Sequence, residues 1–138
     1  MKKKLLRTIS FCLLAAALLS TAAFAFTEAN KYIQTTYVSI GAKNGVVTVA
    51  ATVTATDAYP DVGIDELNIY QVGKASPVAT YTYISRPSLM GHNTSSHSAS
   101  VTYNGSSSEK YYAEVHFYAG QMHVAGGGHT MTSGIVPK

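Results

Sequence analysis

The segment Tyr111 to Ala119 alternates with a strict period of two: Tyr111, Ala113, Val115, Phe117 and Ala119 fall on one side, and Tyr112, Glu114, His116 and Tyr118 on the other. Such alternation fits a half-buried strand and no helix, whose faces repeat every 3.6 residues. Val46 to Thr56 obeys the same rule, with Val47, Val49, Ala51, Val53 and Ala55 facing one way and threonines most of the other. β-Branched residues suit both faces of a strand. Lys43-Asn44-Gly45 precedes it, and Asn-Gly between two β-runs is a hairpin signal, because a type I′ turn needs positive φ at both central residues.

The first 25 residues stand apart from this pattern. Lys2, Lys3, Lys4 and Arg7 precede an apolar run, Ile9 to Leu19, and then Ala23-Phe24-Ala25. That order is the signature of a secretory signal peptide, with the mature chain expected to begin at Phe26. The expected domains are therefore the leader, 1–25, and one β-domain, 26–138. The apolar run is short for a membrane span and no later stretch is long enough for one. Cys12, the one cysteine, lies in the leader without the small residue that precedes a lipidated cysteine. The mature chain then folds without a disulfide. It retains six basic residues against seven acids, a net charge of −1, so the basic character of the whole 138-residue sequence belongs to the leader. No basic patch points to nucleic acid. The implied location is extracellular.

Further strands are expected at Tyr32–Ile40, Ile64–Val72, Val78–Ser85, Ser98–Tyr103 and His129–Val136, with loops at Asp57–Gly63 and Arg86–Ser96. Seven strands at this spacing predict an all-β fold, a single seven-stranded antiparallel β-sandwich of immunoglobulin-like type. Tyr111, starting the sixth strand two positions ahead of Ala113, resembles the tyrosine corner of immunoglobulin-like domains, although the tryptophan and cysteine pair of antibody domains are missing. The mature chain also resembles a group of small exported β-sandwich proteins of Gram-positive bacteria. The matching segments are Tyr32, Ile33 and Ile40; Gly45 to Thr56; Ile64 to Gln71; and Tyr111 to Ser133. That resemblance implies fold and compartment, and no catalytic residue.

Four constellations carry possible chemistry. Tyr70, Tyr112 and Tyr118 are expected outward on neighbouring strands, a platform for an extracellular or cell-envelope protein or glycan, or cross-strand pairs that stabilise the sheet. His116, Met122, His123, His129 and Met131 offer imidazole and thioether ligands for copper, or imidazole for zinc. GGGHTM resembles the H-x-M segment of periplasmic copper chaperones, and surface histidines with a core methionine are the plainer reading. Asp57, Asp61, Asp65 and Glu66 place four acids within ten residues, as calcium favours, or form a solvated turn. Serines, histidines and acids are present without the G-x-S-x-G elbow of a hydrolase. The sequence therefore favours a secreted, non-catalytic binding module with no cofactor. Extracellular copper or zinc binding, and a small secreted hydrolase or toxin, are the alternatives.

Overall fold

The structure, a computed structural model, describes residues 24–26, 31–121 and 125–134. Of the expected leader, residues 1–23 lie outside them, and Phe24 and Ala25 lie within. The strands are β1 (Phe24–Phe26), β2 (Ile33–Lys43), β3 (Val46–Gln71), β4 (Ala79–Thr82), β5 (Met90–Asn104), β6 (Tyr111–Gln121) and β7 (Ala125–Thr132), with a 3-10 turn at Pro87–Leu89. The fold is all-β. The strands belong to one antiparallel sheet, curled as a half-barrel. β1 spans the expected leader junction and pairs Phe24 with Val38 and Phe26 with Thr36.

The β2–β3 hairpin forms as its turn chemistry dictates. Lys43 pairs with Val46, and Asn44 and Gly45 both adopt positive φ, 52° and 79°. β3 differs from expectation. Val46–Thr56 and Ile64–Val72 are not two strands joined by a loop but one strand of 26 residues. The Asp57–Gly63 stretch stays in the sheet because β5 keeps pairing with it. Thr54 faces Ser96 and Tyr59 faces Thr94, so residues 55–58 stand opposite Ser95 alone. Extra residues on one side of a ladder bend that strand without breaking the sheet. The same pairing extends β5 back to Met90, into residues whose polar composition reads as a loop. Only the 3-10 turn and its approach remain irregular there.

The bend gives β3 two sets of neighbours. Its first half lies between β2 and β5, and its second half between β4 and β6, which carries β7. The concave side holds the core. Val47, Val49 and Val53 from the first half, Leu67 and Ile69 from the second, and Val115 and Phe117 from β6 are all essentially inaccessible. β2 and β7 share no ladder, yet the Thr36 hydroxyl reaches Met131 Sδ at 3.7 Å, which ties the two halves across the core.

A second bulge lies between Ile64 and Glu66, where Asp65 is the extra residue against β6. It shifts the inward parity from Val62 and Ile64 to Leu67 and Ile69. At the start of β6 the buried Tyr111 hydroxyl accepts the Ser106 N–H at 2.8 Å, five residues upstream in the β5–β6 turn. The outer edge of β5 is partly closed by hydroxyls. Tyr81 donates to the Thr102 carbonyl at 2.9 Å. Thr94 donates to the Ser96 carbonyl at 2.9 Å and accepts the Ser96 N–H at 3.3 Å. Occupied edge groups discourage pairing with other chains.

Candidate functional site

The convex side of the second half of the sheet collects most of the chemistry-bearing residues. On β6 the outward positions are Tyr112, Glu114, His116 and Tyr118; on β3, beyond the bulge, they are Glu66, Asn68 and Tyr70. The register places Tyr70 beside Tyr112, Asn68 beside Glu114 and Glu66 beside His116. Thr80 and Thr82 of β4 extend the same rows past β3, and Thr130 and Thr132 of β7 extend them past β6.

Tyr70 and Tyr112 stack with ring centroids 5.0 Å apart and planes 7° from parallel. A directly opposed pair on an antiparallel ladder permits this contact. Desolvation, helped by the negative charge of Glu114, pushes the Tyr70 phenol above its usual pKa. Its O–H therefore remains a donor throughout the neutral range. Tyr118 does not join the stack. Six residues along β6 separate it from Tyr112, about 20 Å at strand rise, and its hydroxyl donates to the Gln121 carbonyl at 2.8 Å. Burial, with Asp61 as the first charged contributor, raises its pKa as well.

Between these tyrosines runs a chain of polar contacts. Thr80 donates to Asn68 Oδ1 at 2.6 Å, and Asn68 Nδ2 donates to Glu66 Oε1 at 2.7 Å. On β6, His116 Nε2 lies 3.2 Å from Glu114 Oε1, while its Nδ1 lies 3.0 Å from the Thr130 hydroxyl. In a neutral imidazole the carboxylate selects the proton on Nε2, leaving Nδ1 to accept from Thr130. Acid, imidazole and hydroxyl are thus in series, the order of a hydrolytic triad. The Glu114 and His116 side chains are about one-third exposed (35% and 37%), so water competes for each contact.

Asp65 sits beside this chain. One carboxylate oxygen, Oδ1, is buried without a hydrogen-bond partner. Desolvation raises its pKa above the ordinary 3.8; backbone N–H groups of Asp65 and Glu66 and the nearby His116 pull in the opposite direction without cancelling it. A raised folded-state pKa means that the unfolded chain ionises first. The protonated group's contribution is complete below about pH 4 and is lost as pH rises through the folded-state value. Asp65→Asn is therefore expected to raise the melting temperature at pH 7 by about 4 °C. That corresponds to about 1 kcal/mol for removing a desolvated negative charge, a figure kept low because this side chain is only half-buried. The gain should shrink to nothing below about pH 4, as followed by thermal unfolding across pH.

The structure separates the remaining candidates. Met131 is buried in the core opposite Val115, while His116 lies on the outer side opposite Thr130. Those two positions of the copper or zinc set face opposite sides of the sheet. His129 pairs with Phe117 on the backbone; Met122 and His123 lie outside the described residues. The four acids are strung along one strand and not gathered in a loop. Asp57 accepts its neighbour Ala58 N–H at 2.7 Å, Asp61 contacts His92 Nδ1 at 2.8 Å, and Glu66 serves Asn68. Among the described residues no group of three or more His, Cys, Asp or Glu side chains is placed to hold a metal ion. Alternation identifies Glu114 and Asn68 as outward neighbours of the tyrosines. It cannot show that Thr130 completes the chain to His116, which depends on the β6–β7 register.

Comparison with protein-family models, with curated proteins and with solved structures finds no match for this chain.

Proposed function

We propose that this chain is an exported, non-catalytic binding module that engages an extracellular or cell-envelope protein or glycan through the outer face built on Tyr70 and Tyr112. The stacked tyrosine pair carries the reading. Tyrosines held by their strands lose little rotamer freedom on binding and offer both apolar ring and donor. Glu66, Glu114 and His116 beside them supply directional polar contacts, with Glu66 held by the buried Asn68. The leader-like first 25 residues support export. The strand partners suit an immunoglobulin-like sandwich, in which β2, the first half of β3 and β5 oppose β4, the second half of β3, β6 and β7. The Tyr111–Ser106 bond supports that finer reading, since immunoglobulin-like domains place such a tyrosine at the same corner.

Tyr70→Ser/Tyr112→Ser is expected to lower binding to arrayed glycans and to isolated cell-envelope proteins at least about 10-fold, as for loss of an interface anchor, with strand content by circular dichroism unchanged. Equal binding by the double variant removes the reading. The Glu114–His116–Thr130 series favours a second reading, a small secreted hydrolase with Thr130 as nucleophile and His116 as base. Ester hydrolysis by the purified protein that His116→Ala abolishes would put it in first place. The convex, water-bathed setting argues for binding, because a triad is effective where water is excluded and an oxyanion is met by fixed donors.

A further inference from the structure

The other half of the sheet presents an outer face of a different kind. β5 contributes Ser96, Ser98, Ser100 and Thr102. In register with them across the first half of β3 stand Thr54, Thr52, Ala50 and Thr48. Beyond these on β2 come Thr35, Tyr37, Ser39 and Gly41. Every one of these positions is exposed or half-buried, and the opposite side of the same strands forms the core. Only Ala50 and Gly41 lack a hydroxyl, and no position is charged. No bulge interrupts the three strands over these four rows. The hydroxyls therefore form a grid, spaced ~4.8 Å between strands and ~6.8 Å along them. Neighbours on the grid are close enough to bond each other, as Thr52 Oγ1 and Ser98 Oγ do at 2.8 Å.

The face has no charge to attract nucleic acid or an anionic surface. Three strands by four rows amount to about 400 Å². That is about half of what each partner contributes to a standard protein–protein interface. Tyr37 at the β2 margin is its one aromatic, against the several aromatic and arginine anchors of a protein interface core. These features disfavour a second copy or another protein as the occupant. Hydroxyls both donate and accept, and threonine is stiff at χ1, so the grid is pre-organised for hydroxyl groups that themselves repeat at regular spacing. We propose that this face is a second binding surface, and that it docks on the packed, uncharged surface of an insoluble polysaccharide.

The test is depletion of the full-length protein from suspensions of microcrystalline cellulose and of chitin. Retention on at least one solid is expected, and it should change little over an approximately tenfold range of salt, because no ion pair is involved. Replacing the grid hydroxyls by near-isosteric apolar groups, Thr48→Val/Thr52→Val/Ser98→Ala/Ser100→Ala, should lower retention at least about 10-fold through lost hydrogen bonds. Should that variant fold poorly, Ser98→Lys alone suffices: it adds bulk and charge at an edge strand, where lysine is tolerated. The Tyr70→Ser/Tyr112→Ser variant should be retained as the unaltered protein is. The proposal is overturned if the protein stays in solution with both solids, if folded grid variants are retained normally, or if the tyrosine variant alone loses retention. The last result assigns polysaccharide binding to the other face.

Discussion

Gly63→Ala is expected to cost more stability than any other single-methyl change on β3. Gly63 pairs with Met90 of β5 on one side and with Tyr118 of β6 on the other, so its backbone is held from both directions. A Cβ there would strike the Leu89 carbonyl oxygen and come within 2.8 Å of Met90 Cα. Both obstacles are backbone, and neither is free to retreat. Leu89 is fully buried, and its N–H is bonded to the Arg86 carbonyl at 3.0 Å. Overpacking a core by a methylene costs about 1–3 kcal/mol where side chains can adjust. Here the cost should reach or exceed about 3 kcal/mol, a large share of the ~5–15 kcal/mol available to a domain. The melting temperature should fall by at least about 12 °C. Gly63 is not among the residues with positive φ, so the penalty is steric and not conformational. Gly41→Ala is the matched control, since its Cβ would meet nothing within 4 Å and should change stability by less than about 0.5 kcal/mol. Equal melting temperatures for the two variants would show that the β5 approach can yield.

The same approach of Met90 to Gly63 shows why the sequence was misleading here and informative elsewhere. Alternation located β6 and the first half of β3 because one face of each is buried against the core. Asn44-Gly45 located the first hairpin because its turn geometry is local. Asp57–Gly63 and Met90–Ser96 have the composition of loops, yet each is held in the sheet by the other. Strand formation there depends on partners distant in sequence, from Gly63 with Met90 to Tyr59 with Thr94, and tertiary pairing overrides propensity. The bulge at Asp65 had a visible trace: Val62 and Ile64 share one parity, and Leu67 and Ile69 the other. A single inserted residue explains the change, and it strands a carboxylate beside His116. Among candidate residues, the contact of Tyr70 with Tyr112 followed once their strands were paired. Separation of Tyr118 from that pair follows from distance along one strand. The plainer reading of the histidine and methionine set, with a methionine in the core, holds for Met131, whose face is decided by the β6 register.

Tyr111→Phe is the second substitution expected to act strongly, and it tests whether the β5–β6 corner is a structural unit. The Tyr111 ring is buried, packs edge-on against Tyr103 at 5.9 Å, and carries a hydroxyl that accepts the Ser106 N–H at 2.8 Å. Removing that oxygen leaves a backbone donor without its partner in a turn that has no alternative acceptor supplied by the ring. Ser106 is exposed, so water can take up its N–H, and the loss costs about 1 kcal/mol, the net value of a hydrogen bond; a fall of about 4 °C in melting temperature is expected. Gly105 lies under the same hydroxyl. A Cβ at 105 would come within 2.6 Å of the Tyr111 oxygen and 2.7 Å of the ring carbon that bears it. Gly105→Ala should therefore force the ring outward and break the same bond. Two changes that damage one contact cannot each exact its full cost twice. The double variant Gly105→Ala/Tyr111→Phe should be less destabilised than the sum of the single variants by about 1 kcal/mol, measured by chemical denaturation of all four proteins. Strict additivity would mean that the hydroxyl contributes nothing to holding the turn, and that the corner is kept by ring burial alone.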